Sequence, residues 1–455
     1  MRILFISHNL LAGHVALLLQ GEGHDVKLYI EERESRHCFD NMVPKVKNWR
    51  KELAWVGKEG LIVFDDVGYG KIQDSLRKKG YAVVGGCALG DKLEHDREFG
   101  AAILEQHGIP VPEIKDFSNL DDAVVFAKKN RQAWAIKDNG KHSKRMSYVG
   151  KMDDGSDVIS FLTNALQNKN FNDHSISLQE KIEGVEIGVG RYFNGERWIG
   201  PIEYNIEHPL FFPGDLGPIT SEMGTLAWFD DDESNLLYQK TVAKMETYLK
   251  EIGLRGDFEI NCIVNEKGIF PLEITPRLGT PIIHLHSELL HMKWGDFLNA
   301  IARGENYEAP FKKGYGIVLL LAIPPFPYSK NIKETLYYGM NVYFKDLTKD
   351  EMTHVHLEEV SLRTGVKEQY YIADSQGYVM YVTGEGKTVE EARKQVYSIA
   401  EKIVLPKMFY RNDIGTKFLN EDRTKLEKWG YIIEKKAIET VCTKEIDHRE
   451  NIQQV

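Results

Sequence analysis

The chain has 455 residues, of which 28% are charged and 42% hydrophobic, with a formal net charge of -10. This length predicts about three or four domains, and the acidic balance argues against a general nucleic-acid-binding protein and gives no strong nucleic-acid signal. The four cysteines lack Cys-x-x-Cys spacing, which predicts reduced thiols and no zinc site. The N-terminus begins a strand at once and no apolar run is long, which predicts no secretory signal and no membrane segment. Together these features predict a cytoplasmic protein.

The first predicted domain, residues 1–112, alternates strands with helices, which predicts a parallel, doubly wound sheet. Functional side chains of such sheets tend to follow the carboxyl ends of strands. The alternative is that these polar residues only cap helices. The predicted strands are Ile3–Ile6, Asp25–Ile30, Leu61–Phe64 and Tyr81–Val84, the helices are Ala12–Gln20, Ile72–Lys79 and Asp91–His107, and the polar residues at strand ends are Ser7, His8, Asn9, Asp65 and Asp66.

The rest of the chain predicts an α/β protein built from α+β lobes. A small lobe is expected over 113–191, a larger lobe over 192–312, a small C-terminal α+β domain over 313–425 and a charged tail over 426–455. A long helix is predicted over Leu236–Ile252, and another over Val389–Ile403, where Thr388 and Glu391 form a capping-box pattern. The tail lacks a clear apolar period and is expected to be partly ordered.

The stretch from Gly253 to Pro281 predicts two strands joined by a tight turn at residues 266–268. Glu259 and Asn261 share one face of the first strand, and the second delivers Glu273 at its end. Mg²⁺ binds through one or two carboxylates and substrate phosphates, and Arg277 would suit the phosphate. The alternative is a hairpin with a charged solvent face.

Three further segments are candidates for nucleotide or substrate binding. Lys137 ends an apolar strand and would neutralise nucleotide phosphates, unless it is merely solvated. In the segment 178–186 the backbone of Glu180–Ile182 would pair with an adenine edge and Glu186 with ribose hydroxyls, although a charged hairpin turn is the plain alternative. The glycine-rich stretch 214–225 permits close approach to a ligand, or is a connecting loop.

The order of these segments resembles the ATP-grasp superfamily. Its members clamp ATP between two α+β lobes and activate a carboxylate as an acyl phosphate for attack by an amine or thiol. The resemblance narrows to the phosphoribosylamine–glycine ligase family and covers nearly the whole chain. The motifs that carry it are Gly85-Gly86 with Leu93–Arg97 and His107–Pro110, then Gly214–Gly224, then Lys387–Arg393 with Met408–Gly415.

The departures from this family are uneven. Its glycine-rich first loop, with the arginine that holds the phosphoribosyl group, is replaced by Ser7–His14, so a phosphate there would lose charge-assisted bonds of roughly 1.5–3 kcal/mol each. The C-terminal strand Gln376–Met380 lacks another family arginine. The lid glycines are replaced in Gly140–Met146, where Arg145 stands in for the lid lysine. Thr275 replaces a metal-binding asparagine, so the metal site would be looser unless Asn261 and Glu259 compensate.

From this pattern we expect an ATP-dependent ligase that activates an amino acid such as glycine and joins it to an amine other than standard phosphoribosylamine. The resemblance implies ATP and Mg²⁺ or Mn²⁺ as cofactors, small carboxylate and amine substrates, and a monomer or homodimer. Asp65 and Asp66 favour a cationic or hydroxyl-rich acceptor. Catalysis is assigned to Arg277, Glu273 and Lys137; ATP binding to Arg97, Lys137, Arg145, Gln179, Glu180, Lys181, Ile182 and Glu186; the metal to Glu273, Asn261 and Glu259; and the substrates to Ser7, His8, Asn9, Asp65, Asp66, Asp215, Pro218, Thr220, Ser221, Glu222, Met223 and Gly224.

Two alternatives remain open at this point. One is the family's own reaction, which makes glycinamide ribonucleotide in purine synthesis, with a remodelled phosphate site. The other is a non-catalytic ATP-binding scaffold, suggested by the lost lid glycines and Thr275.

Overall fold

A computed structural model describes residues 1–138, 146–168, 175–328, 336–365 and 367–432. Within these ranges no helix combines the length and apolar character that a membrane crossing needs. The lid residue Arg145, with most of the segment 140–146, and the residues beyond 432 lie outside the described part.

The N-terminal domain confirms the predicted parallel sheet, with strand order β2-β1-β3-β4. Successive residues of β1 enter two different hydrophobic clusters, Ile3 and Phe5 on one face and Leu4 and Ile6 on the other, so helices cover both faces. The elements are β1 Arg2–Ser7, α1 Gly13–Gly21, β2 Asp25–Ile30, α2 Leu53–Val56, β3 Leu61–Phe64, α3 Gly70–Lys78, β4 Ala82–Val84, α4 Ala88–His95 and α5 Arg97–Gln106.

The single helix predicted over Asp91–His107 is wrong, because the chain forms α4 and α5 with a break at Asp96. Asp96 has an extended backbone, and its carboxylate accepts a hydrogen bond from the amide of Phe99 at 2.9 Å. An aspartate that caps the first turn of a new helix stabilises the interruption.

The small lobe has its own hydrophobic core, centred on the buried indole of Trp134. Its four-stranded sheet has the order β5-β8-β6-β7. The elements are β5 Ile114–Phe117, α6 Leu120–Lys129, β6 Trp134–Asp138, β7 Tyr148–Val149, α7 Ser156–Gln167 and β8 Ile176–Glu180.

The large lobe is organised by strands of a long, mostly antiparallel sheet. Its helical segment 236–252 is interrupted, because the backbone of Thr241 departs from helical geometry between two short helices. The continuous helix predicted there is therefore wrong. The elements are β9 Val185–Phe193, β10 Trp198–Glu207, β11 Leu210–Phe212, β12 Leu216–Ile219, β13 Gly224–Asp230, α8 Leu236–Lys240, α9 Glu246–Ile252, β14 Gly256–Asn265, β15 Gly268–Thr275, α10 Ile282–Leu289 and α11 Trp294–Arg303.

The C-terminal segment continues the same sheet. Its confirmed capping box places Thr388 and Glu391 at the start of α13. Leu426 is buried in the last described helix, so part of the predicted tail is ordered. The elements are β16 Tyr315–Ala322, β17 Tyr343–Phe344, α12 Lys349–Thr353, β18 Val355–Leu357, β19 Val360–Arg363, β20 Gln369–Ile372, β21 Tyr378–Gly386, α13 Val389–Ala400, β22 Ile403–Val404 and α14 Arg423–Trp429.

One eight-stranded sheet therefore crosses two of the predicted domain boundaries. Its order is β15-β14-β9-β10-β13-β16-β21-β18. Strand β9, which the sequence grouped with the small lobe, belongs to this sheet, and strands from 313–425 extend it beyond residue 312. The boundaries themselves remain predictions.

Candidate active site

A row of acidic and amide side chains runs across one face of the eight-stranded sheet. In the pairing of β14 with β15, Asn261 lies opposite Glu273 and Glu259 lies opposite Thr275. Because side chains on a strand alternate between faces, β10 and β9 bring further residues to this face. They are Glu203, Asn205 and Glu207 on β10, and Glu186, Gly188 and Gly190 on β9.

Glycine at position 188 allows polar groups from the two flanking strands to meet over β9. Gly188 pairs with Asn205 on one side and Asn261 on the other. A Cβ atom added there would lie 2.4 Å from Oδ1 of Asn205 and 2.7 Å from Oε1 of Glu259. Any side chain at 188 would therefore separate these groups. Gly190, one step along the same face, would meet Cβ of Glu259 at an ordinary 3.5 Å.

Hydrogen bonds over Gly188 hold the acidic and amide side chains of the row in place. Nδ2 of Asn205 donates to Oε1 of Glu203 at 2.7 Å and to Oε2 of Glu259 at 3.1 Å. Nδ2 of Asn261 donates to Oε2 of Glu207 at 2.9 Å, which turns Oδ1 of Asn261 the other way. That oxygen is buried and accepts a hydrogen bond from none of the described residues.

The row carries more negative charge than its surroundings neutralise. Glu259 and Asn261 are buried, whereas Glu273 is exposed at the edge of the sheet. Burial, and then the charges of Glu203 and Asp257, raise the pKa of Glu259 well above its usual range. A divalent cation held by Glu273, Asn261 and Glu259 would relieve this repulsion, and the free amide oxygen of Asn261 is a suitable ligand. The residues present therefore fit a magnesium site.

A second group of ionisable side chains, on this sheet and on α10, is paired internally. Glu203, Asp257 and His286 are fully buried, and their ligand atoms lie within 4.8 Å of one another. Both ring nitrogens of His286 are already used, by Oε2 of Glu203 at 2.5 Å and by the hydroxyl of Tyr192 at 2.6 Å. Although burial opposes its charge, Glu203 raises the pKa of His286. This group is best explained as an internal ion pair.

Arg277 lies just beyond β15 between two carboxylates. Its Nε is 3.1 Å from Oε1 of Glu94 and 3.6 Å from Oδ1 of Asp66. Although burial opposes its charge, Glu94 and Asp66 raise the pKa of Arg277. The guanidinium is therefore held charged, and Asp66, predicted to face the acceptor, contacts this arginine.

Arg277 and Glu94 border a cavity of about 410 Å³ between the N-terminal domain and the large sheet. Three acidic members of the row, Glu207, Glu259 and Glu273, also line it. The predicted site residues in the wall are Arg97, Ser221, Glu222, Glu259, Glu273 and Arg277.

Lys137 of the small lobe is linked to the same region by its electrostatic interaction with Glu186. Burial raises the pKa of the Glu186 carboxyl, Lys137 counteracts the shift and Glu273 adds to it. Glu186 therefore interacts electrostatically with both residues. Lys137 and Glu273 therefore both lie within electrostatic range of one buried carboxyl group.

The segment proposed for adenine binding is partly engaged in the small-lobe sheet. The amide of Glu180 donates to the carbonyl of Glu113 at 2.9 Å, and that of Lys181 donates to Ala133 at 3.2 Å. Only the amide of Ile182 among these three donates to no described residue. Gln179 is buried, with its Nε2 unpartnered. Strands β8 and β9 belong to different sheets, so this segment is not the hairpin turn of the alternative interpretation.

Residues 214–219 of the glycine-rich stretch form the turn and second strand of a small hairpin, since β11 pairs with β12, and residues 220–223 connect this hairpin to β13. Arg411 fixes its turn: Nη1 lies 3.1 Å from Oδ1 of Asp215 and 2.9 Å from the carbonyl of Leu210. Pro218 lies in β12, and Thr220 donates to the carbonyl of Pro209 at 2.8 Å.

The end of the glycine-rich stretch is hydrogen-bonded to the backbone of His208. Oε1 of Glu222 accepts from the amides of His208 at 2.6 Å and Gly224 at 3.3 Å. Ser221 shares a hydrogen bond with the hydroxyl of Tyr378 at 3.0 Å, and Met223 is fully buried. Glu222 therefore supports the backbone at the cavity wall.

The predicted acceptor residues of the N-terminal domain differ in accessibility. Ser7 is buried and donates to Oδ2 of Asp65 at 2.6 Å, and the amide of Ala12 donates to the same oxygen at 3.2 Å. Burial, and then the charge of Asp66, raise the pKa of Asp65 to about 7. His8 is exposed, whereas Asn9 is half-buried with Oδ1 unpartnered. Asp65 therefore organises the loop after β1.

Sequence reasoning missed Glu203, Asn205, Glu207, His208 and Arg411. The first three alternate along one strand, and that period of two was a visible signal. His208 and Arg411 act through contacts between distant segments, which leave no local signal in a sequence.

Comparison with known proteins identifies the superfamily of the chain. The family model "Phosphoribosylglycinamide synthetase, ATP-grasp (A) domain" matches residues 95–257, and the model for the C domain of the same synthetase matches residues 343–417. The chain belongs to the ATP-grasp superfamily. By family it is an ATP-dependent ligase that resembles phosphoribosylamine–glycine ligase.

Three individual proteins illustrate the similarity. Phosphoribosylamine–glycine ligase from Helicobacter pylori is 25% identical over 405 residues, which cover 86% of this chain and 88% of that protein. The structure of the Thermotoga maritima ligase of the same name superposes with a TM-score of 0.67 at 18% identity, covering 91% of this chain and all of that one. The biotin carboxylase domain of Hydrogenobacter thermophilus 2-oxoglutarate carboxylase, solved with MgADP and bicarbonate, has a TM-score of 0.58 at 13% identity and covers 94% and 97%.

A matched pair of glycine substitutions tests the crossing over β9. We expect Gly188→Ala to lower the free energy of unfolding by about 1–3 kcal/mol, because the new methyl group overpacks Asn205 and Glu259. Gly190→Ala should change it by no more than about 1 kcal/mol, because it meets only ordinary contacts. Urea denaturation measures both. Equal losses in the two variants would show that the close approach over Gly188 is not a constraint.

The pH dependence of stability tests the environment of His208. Nδ1 lies 3.1 Å from the carbonyl of Gly224, and Nε2 lies 3.2 Å from the amide of Gly415, an arrangement that suits a neutral ring. Burial, and then the charge of Arg411, lower the pKa of His208 from its ordinary 6.5 to about 4. The contribution is fully present above pH 6.5 and is lost as the pH falls toward 4, because the unfolded chain binds the proton first.

We expect this loss to approach about 3 kcal/mol in the wild type and to be absent in His208→Gln. Urea midpoints measured from pH 7 to pH 4 provide the comparison. The exposed His37→Gln is the control and should follow the wild type. If the His208 variant has the wild-type slope, the ring is not held neutral.

Proposed function

We propose that the chain is an ATP-dependent carboxylate–amine ligase that forms an amide through an acyl phosphate. Its carboxylate substrate is an amino acid such as glycine, and its acceptor is an amine other than standard phosphoribosylamine. The observation that carries this proposal is the pairing of Asn261 with Glu273 at a cavity that Glu273 and Arg277 line. Lys137 supports it through its electrostatic interaction with Glu186.

The metal would be Mg²⁺ or Mn²⁺, held by Glu273, Asn261 and Glu259. When bound, it would neutralise phosphate charge during phosphoryl transfer. The MgADP in the biotin carboxylase domain of similar fold supports a nucleotide–magnesium site. Thr275 faces Glu259 across the hairpin and supplies only a hydroxyl, so the buried oxygens of Asn261 and Glu259 compensate for the missing amide.

The nucleotide would lie between the small lobe and the sheet. The Ile182 amide is available for the adenine edge, and Glu186 suits the ribose hydroxyls. Lys137 and Arg97 would face the phosphates, and Arg145 is proposed for the same role from sequence alone. Gln179, Glu180 and Lys181 line the approach to the adenine position.

The carboxylate would lie between the hairpin 210–224 and Arg277. One carboxylate oxygen attacks the γ-phosphorus, and the bond to the β-phosphate oxygen breaks, giving the acyl phosphate and ADP. The neutral amine then attacks the acyl carbon and phosphate leaves, with one amine proton passing to solvent or phosphate. Arg277, held charged by Glu94 and Asp66, would stabilise the transferring phosphoryl group.

A second candidate is the reaction of phosphoribosylamine–glycine ligase itself. It is favoured by the 25% identity to the Helicobacter pylori enzyme over 86% of the chain. The loop Ser7–His14 argues against it, because it contains a single glycine, Gly13, and no arginine that would hold a sugar phosphate.

The function can be tested by ATP turnover on a matrix of amino acids and amines, with the amino-acid carboxylate labelled with ¹⁸O. We expect ADP formation with glycine or a related amino acid and a non-phosphorylated amine. One ¹⁸O atom should appear in the released phosphate, because a carboxylate oxygen attacks phosphorus. Mass spectrometry of the phosphate and of the amide product measures both.

Other outcomes separate the alternatives. Turnover confined to glycine with phosphoribosylamine would establish the second candidate. Nucleotide binding without turnover for any pair would indicate a non-catalytic scaffold. Unlabelled phosphate during amide formation would contradict an acyl phosphate.

A further inference from the structure

Four buried carboxylates meet where the N-terminal domain contacts the C-terminal segment. Asp65 follows β3, Glu358 and Glu359 lie between β18 and β19, and Asp374 follows β20. Their exposed fractions are 0%, 6%, 3% and 2%. We call them the acidic cluster. Only Asp65 belongs to the site residues discussed above.

Contacts from both domains fix the cluster. Ser35 of the N-terminal domain donates to Oδ2 of Asp374 at 2.6 Å, and the amide of Gly377 donates to Oε2 of Glu359 at 2.8 Å. Between the domains, the amide of Leu357 donates to Nδ1 of His14 at 3.1 Å. The carboxylates are therefore held in place by the fold.

No basic side chain neutralises the cluster in the part of the chain that the structure describes. None of its carboxylates forms an ion pair with a described lysine or arginine, and Lys45 nearby is paired with Asp40. Oε2 of Glu358 is buried and accepts no hydrogen bond. Burial, and then the charges of Glu359 and Asp65, raise the pKa of Glu358. Buried carboxylates without a partner are costly, so a bound positive charge would stabilise them.

The spacing of the cluster does not suit a single metal ion. Among the described residues, Glu203, Asp257 and His286 are the group whose ligand atoms lie within 4.8 Å of one another, and the acidic cluster does not meet that distance. Carboxylates spread more widely around one region match a larger, organic cation.

The cluster adjoins the cavity through Tyr381. This residue lines the cavity, and burial followed by the charge of Glu358 raises the pKa of its hydroxyl. Leu11, on the loop after β1, also lines the cavity. The amide of Glu358 donates to the carbonyl of Val379 at 3.2 Å, and Val379 lies two residues before Tyr381 on β21. Glu358 therefore lies beside the part of the cavity wall that Tyr381 forms.

We propose that the acidic cluster binds a second, positively charged group of the amine acceptor, so that the substrate class is an aliphatic diamine or a related organic dication. This inference rests on the proposed ligase function. One nitrogen of the acceptor reaches the acyl carbon as the neutral amine. The other, an ammonium, donates to Glu358, Glu359 and Asp374.

The proposal is tested with 1,4-diaminobutane as the probe. Calorimetric titration, with and without MgATP, should detect binding to the wild type. Glu358→Gln and Asp374→Asn should each weaken binding by about tenfold or more, because each removes a charge-assisted hydrogen bond. The matched control is Glu385→Gln in the same segment, a carboxylate already paired with Lys312 at 2.6 Å, and it should bind the probe like the wild type.

A matched ligand pair extends the test to turnover. The kcat/KM for 1,4-diaminobutane should exceed that for 4-aminobutan-1-ol by about tenfold or more, because the alcohol lacks the second charge. Absence of diamine binding in both conditions would overturn the inference, as would wild-type affinity in both cluster variants.

Different experimental results would reject the dication inference and the proposed ligase function. Amide formation with uncharged or singly charged acceptors, without diamine binding, would retain the ligase and reject the dication. Cluster-dependent diamine binding without ATP turnover on any pair would retain the binding site and reject the ligase.

Discussion

The candidate site depends on negatively charged side chains that are crowded on one face of the eight-stranded sheet. Gly188 removes the side chain that would separate β10 from β14, so Asn205 bridges Glu203 and Glu259 over the intervening strand. The resulting row is short of positive charge, and Asn261, whose amide oxygen accepts from none of the described residues, lies opposite Glu273. A protein interior tolerates such a row only when a cation or protons balance it. The proposed metal site would therefore be a consequence of how the strands pack.

Ion pairs also hold other side chains of the candidate site. Arg277 is kept charged by carboxylates from two segments, and Asp215 is fixed by Arg411 from the far end of the chain. On the acceptor side, the acidic cluster again lacks a basic partner. The proposed phosphate side of the site would thus combine metal ligands with cations, whereas the proposed acceptor side would be acidic. A phosphorylated acceptor would be repelled there, and a cationic one would be attracted.

Much of the fold and of the metal face could be predicted from sequence, because the information is local. The pairing of Asn261 with Glu273 follows from strand period and the position of one turn. The parallel sheet follows from alternating elements. The role of Gly188 could not be predicted, since it depends on the pairing of β9 with β14, a strand that is distant in sequence. The acidic cluster unites residues about 300 positions apart, and the breaks at Asp96 and Thr241 depend on local hydrogen bonds that override a helical pattern.

The central claim is that a divalent cation binds the β14–β15 face and not the buried group around His286. Crystals grown with Mn²⁺ and a non-hydrolysable ATP analogue test it through the anomalous signal of manganese. The account predicts a peak roughly 2.1 Å from a carboxylate oxygen of Glu273 and from Oδ1 of Asn261. A peak at Glu203, Asp257 and His286, or a bound nucleotide whose metal lies away from Glu273, would contradict it.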